Sequence, residues 1–115
     1  MEKPIIDPAI YRELQETAGA EFVVELVGTF LEEAPRMLAE LRKARLNGDA
    51  EGFRRAAHSL KSNGNTFGAL ELAELARELE LKGFDVDASQ VVTKLSALES
   101  AYFKAAAALK ALCNG

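Results

Sequence analysis

The chain has one cysteine and one histidine among its 115 residues. A lone thiol, Cys113, cannot close an intramolecular disulfide and is too little for a structural zinc site. No apolar run approaches the roughly 18 residues that span a bilayer, and the N-terminus carries no secretory signal. These absences point to the cytoplasm. The chain also lacks a glycine-rich phosphate loop, any other nucleotide-binding motif and any metal-ligand constellation. Autonomous kinase activity is therefore not expected, and neither is a bound cofactor or metal.

What is present suits one soluble globular domain over residues 1–115, with 49% apolar and 28% charged residues. The net charge of −4 argues against general nucleic-acid affinity, which needs a broad basic face. The charge is uneven, however. Arg36, Arg42, Lys43, Arg45, Arg54, Arg55 and Lys61 stand close together with only Glu40, Asp49 and Glu51 among them, while the rest of the chain is acidic. This is either ordinary solvated helix surface or a local patch for an anionic partner.

Apolar residues recur with helical period throughout, and no segment alternates like a strand. Asp7-Pro8 opens a first short helix that ends near Thr17-Ala18-Gly19. A second carries Phe22/Val23, Leu26/Val27, Phe30, Ala34, Met37/Leu38, Leu41 and Ala44, with a kink rather than a break expected at Pro35. Asn47-Gly48-Asp49 closes it and caps a third, whose inner face is Phe53, Ala56/Ala57, Leu60 and Gly64. Asn63 to Gly68 reads as a frayed or turned end. A fourth runs from Ala69 to Lys82 with Leu72, Leu75/Ala76 and Leu79 inward, and Gly83 stops it. Asp85 or Asp87 caps the last, which repeats Ala88, Val91/Val92, Leu95, Leu98, Tyr102, Ala105/Ala106, Leu109 and Leu112. Short connections imply antiparallel neighbours. The expected fold is all-α: an antiparallel up-down four-helix bundle with an additional short N-terminal helix.

The histidine can be placed on its helix by arithmetic. With Phe53 at zero and 100° per residue, His58 falls at about 140°, off the apolar stripe. Lys61, Arg54, Asn65, Ser62 and Arg55 surround it at about 80° to 200°. A core histidine is thereby disfavoured. A metal ligand lacks partners, and a serine-histidine-acid centre lacks an oxyanion hole and a nucleophile elbow. An incidental surface histidine remains open on the wheel alone. A phosphoacceptor accounts for more of the surroundings. Imidazole nitrogen attacks phosphorus readily, Lys61 can offset the added charge, and small Ser62 and Asn65 leave a partner room to approach.

The run Ala57-His58-Ser59-Leu60-Lys61-Ser62, continued by Phe67-Gly68-Ala69, resembles the motif of histidine-containing phosphotransfer (HPt) domains. That pattern reads H-x-L-K-G, followed after a short spacer by an apolar residue and glycine. One departure is Ser62, where the family usually has glycine, which bears on partner range or transfer rate. The resemblance extends over nearly the whole chain. It implies that His58 carries the phosphoryl group on its outer ring nitrogen, that Lys61 contacts the phosphoryl oxygens, and that Glu80 on the next helix bonds the other nitrogen. A hairpin turning at Phe67–Ala69 independently brings position 80 opposite position 58. Glu78 and Arg77 are the fallbacks, and a plain surface acid is the bland alternative for Glu80.

The implied partners are receiver domains, which supply Mg²⁺ and the acceptor carboxylates, and histidine kinases. Arg54 and Arg55 would complement a receiver's acidic pocket. Family docking surfaces are apolar patches beside the histidine, to which Ile6, Ala9, Ile10 and the edge of the second helix can contribute. The start at Met1 and the end at Asn114-Gly115 suggest a complete small protein rather than a phosphoacceptor domain excised from a larger kinase; separately, a monomer is expected. The rival reading is a helical adaptor or inhibitor that binds a receiver or kinase without being phosphorylated.

Overall fold

Asp7 sets the first helix. In the computed structural model, which describes residues 4–114, its carboxylate accepts from the backbone N–H groups of Ala9 and Ile10. Pro8 takes the first position of α1 (Pro8–Ala18), where its missing N–H costs nothing. Gly19, at φ 94°, turns the chain within one residue into α2 (Ala20–Asn47). A side chain there would be strained, so glycine is required. The helix passes Pro35 unbroken. One backbone N–H is lost, but burial of Phe30, Ala34, Leu38 and Leu41 on either side holds the register.

Asp49 accepts from the backbone N–H of Gly52 and caps α3 (Ala50–Phe67). The turned end expected over Asn63–Gly68 does not form, since α3 is regular to Phe67. Gly64 is there for close approach rather than for breaking. A Cβ on it would stand 3.1 Å from both the Cβ and the backbone nitrogen of Ala73. Asn63 and Thr66 fold their side chains back onto the carbonyls of Ser59 and Ser62, and buried Phe67 anchors the last turn. The turn itself falls on Gly68, at φ 82°.

The expected fourth helix to Lys82 also needs correction. The α-helical part, α4, is Leu70–Glu78, and Leu79–Gly83 forms a wider π-helical turn. The cause lies in what must face inward. Position 84 would sit about 140° from position 79 in an ordinary helix, yet Leu79 is buried and Phe84 packs on the core. The i→i+5 turn brings the two back toward one face. Asp87 then accepts from the Gln90 backbone and the Ser89 hydroxyl to cap α5 (Ala88–Asn114).

The described residues are 88% helical with no strand. Packing joins α2 to α3, α3 to α4, α4 to α5, and α5 back to α2, with α1 laid against α2 and α3. Contacts between α2 and α5 run in opposite senses: Tyr102 donates to the Leu31 carbonyl, while Arg42 pairs with Glu99. The α3 and α4 pairs, Gly64 with Ala73 and His58 with Glu80, are antiparallel too. Phe53, Leu41, Leu60, Leu72, Leu98 and Leu109 form the driest part of the core, and no polar or charged residue is buried among the described residues.

The apolar stripes read slightly too wide. Phe22, Val92, Leu112 and Ala88 are exposed, because near helix ends only one of two adjacent apolar positions finds a facing helix. Ile6 is a core residue rather than part of an exposed patch.

Candidate functional site

His58 is on the outer face of α3, with Ala57 and Leu60 buried on either side of it in sequence and fixing the helix's rotation. Its side chain is 57% exposed. The wheel predicted this orientation, and the packing of α3 between α2 and α4 explains it. Across the α3–α4 seam, Glu80 in the π turn reaches the ring: its Oε2 is 2.7 Å from His58 Nδ1. Its other oxygen, Oε1, accepts from Lys61 Nζ at 2.7 Å. One carboxylate therefore ties together the histidine and the lysine one turn along.

Electrostatics hold Glu80 in its charged form. The Lys61 hydrogen bond keeps its pKa below the usual carboxylate range; partial burial opposes this, and the His58 bond assists it. A carboxylate only accepts, so Nδ1 of the neutral ring carries the proton. The lone pair is then on Nε2, at the exposed edge. Orientation of this kind fixes the tautomer, as partners of metal-bound histidines do.

The fallbacks are engaged elsewhere. Glu78 pairs with Lys94 and Arg77 with Glu74. Lys61, expected to face a phosphoryl group, rests on Glu80 in the unphosphorylated protein. Arg54, Arg55, Ser62 and Asn65 are exposed on the same α3 face, and neither arginine forms an ion pair among the described residues. Of the apolar residues of α1 considered for docking, only Ala9 is well exposed, and α1 meets α3 at Gly68, through the Asp7 N–H, far along from His58.

Two supports were invisible to pattern reading. One is the π turn that carries Glu80. The other is Arg45 of α2, whose guanidinium sits 5.6 Å over the Phe84 ring and donates to the Val86 carbonyl at 3.2 Å. Phe84 in turn packs edge-on against Phe53 of α3, with ring centroids 5.7 Å apart. This stack pins the segment after the π turn to the helix that bears the histidine. Only the aromatic at position 84, just after a glycine stop, hinted at it.

An exposed histidine bonded by a carboxylate across the α3–α4 seam is thus the centre of the site. The Hpt domain family matches residues 25–113, more than half of the chain. The chain belongs to the Hpt domain family, whose modules serve histidine phosphotransfer in two-component signalling and are not autonomous kinases. Helix α1 precedes the matched span. No curated protein and no solved structure matches the chain. Among the described residues no helix is long and apolar enough to cross a membrane.

Proposed function

We propose that His58 is the phosphoacceptor of this domain and that it relays phosphoryl groups between a histidine kinase or receiver domain and a second receiver in the cytoplasm. The observation that carries the reading is the Nδ1–Glu80 bond at 2.7 Å beneath an open ring, which leaves Nε2 as a solvent-facing nucleophile. Its lone pair attacks the phosphorus of an aspartyl phosphate. The N–P bond forms as the P–O bond breaks, and the aspartate leaves as a carboxylate with the bonding pair. The ring, still protonated at Nδ1, becomes cationic, and Glu80 offsets that charge. The reverse transfer regenerates the neutral ring.

Positioning and charge are most of what phosphoryl transfer requires of a protein. Lys61 adds a positive charge beside the phosphoryl group while its ammonium stays bonded to Glu80. Arg54 and Arg55 would steer an acidic receiver face, and exposed Ser62 and Asn65 leave room for its active site. The partner's site contributes the metal and the acceptor carboxylate.

The test is transfer from a phosphorylated receiver of the same organism. Wild-type protein should acquire acid-labile, base-stable label, and His58→Gln should acquire none. A His58→Gln variant that labels like wild type sinks the reading. If a receiver binds both proteins equally and labels neither, the chain is a helical adaptor instead.

A further inference from the structure

The two nitrogens of an imidazole project to opposite sides of the ring. Seen with Cγ at the base, Nδ1 points sideways, while Nε2 points outward and to the other side. In His58, Nδ1 is held on the α4 side by Glu80, and Lys61 is drawn to that same side. Nε2 therefore faces outward and toward α2, away from the motif lysine.

On that flank α3 presents Ser62 and Arg55, about 40° and 60° round the helix from His58 in the direction away from Lys61. They stand four residues after and three before it, a spacing that puts Cβ atoms about 5–6 Å apart. Helical side chains lean toward the N-terminus, so Ser62 leans back toward the ring and the ring leans over the turn of Arg55. Both are exposed, and among the described residues neither the Ser62 hydroxyl nor the Arg55 guanidinium has a hydrogen-bond or ion-pair partner. The flank opens into a groove of about 530 Å³ between α2 and α3, where Arg36, Lys43 and Arg55 outnumber Glu40 and Asp49.

The geometry points to a phosphoryl-binding pair apart from the motif lysine: the Ser62 hydroxyl and the Arg55 guanidinium hold the oxygens of the phosphoryl group on Nε2 of His58. This rests on the phosphoacceptor reading and deepens it. A guanidinium fork suits two phosphoryl oxygens, and a hydroxyl can donate to the third. Ser62 is then a ligand that a glycine at this position would not supply. Lys61 keeps Glu80 in place while the group is bound.

The test needs no protein partner. Phosphoramidate labels accessible histidine directly: its P–N bond breaks, ammonia leaves, and the new N–P bond forms at Nε2. The second ionisation of the bound phosphoryl group is then followed by phosphorus NMR against pH in wild type, Arg55→Gln, Ser62→Gly and Lys61→Gln. All three substitutions are on the surface of α3, and circular dichroism verifies that each variant is folded. A nearby cation or donor favours the dianion. Loss of Arg55 should move the titration upward by about half a pH unit, loss of Ser62 by less, and loss of Lys61 least. Curves for Arg55→Gln and Ser62→Gly that superimpose on wild type, with Lys61→Gln displaced, overturn the assignment and leave the phosphoacceptor reading intact. A wild-type protein with no label on His58 overturns both.

Discussion

Replacing Glu80 by alanine removes the only side chain bonded to the His58 ring among the described residues. The carboxylate favours the Nδ1–H tautomer through a charge-assisted hydrogen bond. Such bonds contribute about 1.5–3 kcal/mol when sheltered. With the imidazole more than half exposed, solvent screening reduces this to about 1 kcal/mol. That corresponds to about a five-fold change in tautomer ratio. In Glu80→Ala the proton should redistribute toward Nε2, which takes the lone pair off the exposed edge. Nitrogen-15 NMR of the ring reads the redistribution directly. Labelling by phosphoramidate should slow in parallel, by at most about five-fold, since only the ring with a free Nε2 lone pair reacts. Glu80→Gln should fall between, because its amide oxygen can still accept from Nδ1–H without the charge. A Glu80→Ala protein that keeps the wild-type tautomer and rate would refute the reasoning, however its stability changed. Stability has its own signature. The pKa of Glu80 is lowered in the folded protein, so its contribution is present above the ordinary carboxylate range and disappears as pH falls through the lowered value. The gap in Tm between wild type and Glu80→Gln should therefore close in acid.

Gly64→Ala gains helix propensity of about 1 kcal/mol, yet its Cβ would meet Ala73 at 3.1 Å and the Ala69 carbonyl at 3.2 Å. Backbone atoms cannot swing aside, so overpacking of about 1–3 kcal/mol should prevail and the variant should melt lower; a higher Tm would show that the α3–α4 seam is slack. Arg45→Met removes the bond to Val86 and the contact over Phe84. A loss of about 1–2 kcal/mol follows, read as an earlier denaturant midpoint at unchanged slope, and no shift would mean the stack is ornamental. Tyr11 has its pKa raised to about 12, mainly by burial and then by the hydrogen bond to Cys113. A raised pKa means stability intact below the tyrosine's ordinary value of 10.0 and lost between there and about 12. Alkaline melts of Tyr11→Phe should lose less stability over that window than wild type, and parallel curves would contradict the assignment.

Much of the site was legible because it depends on helix phase. The outward turn of His58 follows from Phe53, Ala57 and Leu60 on the opposite side, and those three are fully buried. Pairing of position 80 with position 58 follows from a hairpin of known turn point. Harder to read were features whose cause lies in another helix. Gly64 resembles a breaker in one dimension, and only the approach of Ala73 shows it to be a contact surface. The π turn has no local marker, because it results from Leu79 and Phe84 both being drawn to the core. Lys61 is the subtler case. Its position beside His58 is fixed by spacing, but the direction of its ammonium is decided by a carboxylate on another element.

A site made wholly of exposed and half-exposed groups still needs rigid placement, and here that comes from apolar packing. No charged side chain is buried among the described residues, and the hydroxyls of buried Tyr11 and Tyr102 meet Cys113 and the Leu31 carbonyl, not the site. What sets the reach of Glu80 is steric. Gly64 brings α4 close against α3, fully buried Leu79 fixes the start of the wide turn, and Phe84, gripped between Phe53 and Arg45, fixes its end. Between two anchored ends the π turn has little freedom, and the one charged residue it aims across the seam meets His58. Wide turns of this kind recur at functional sites. In this protein the reason is concrete: a regular helix would have to choose between burying Phe84 and burying Leu79, and either choice would loosen the turn that carries the carboxylate.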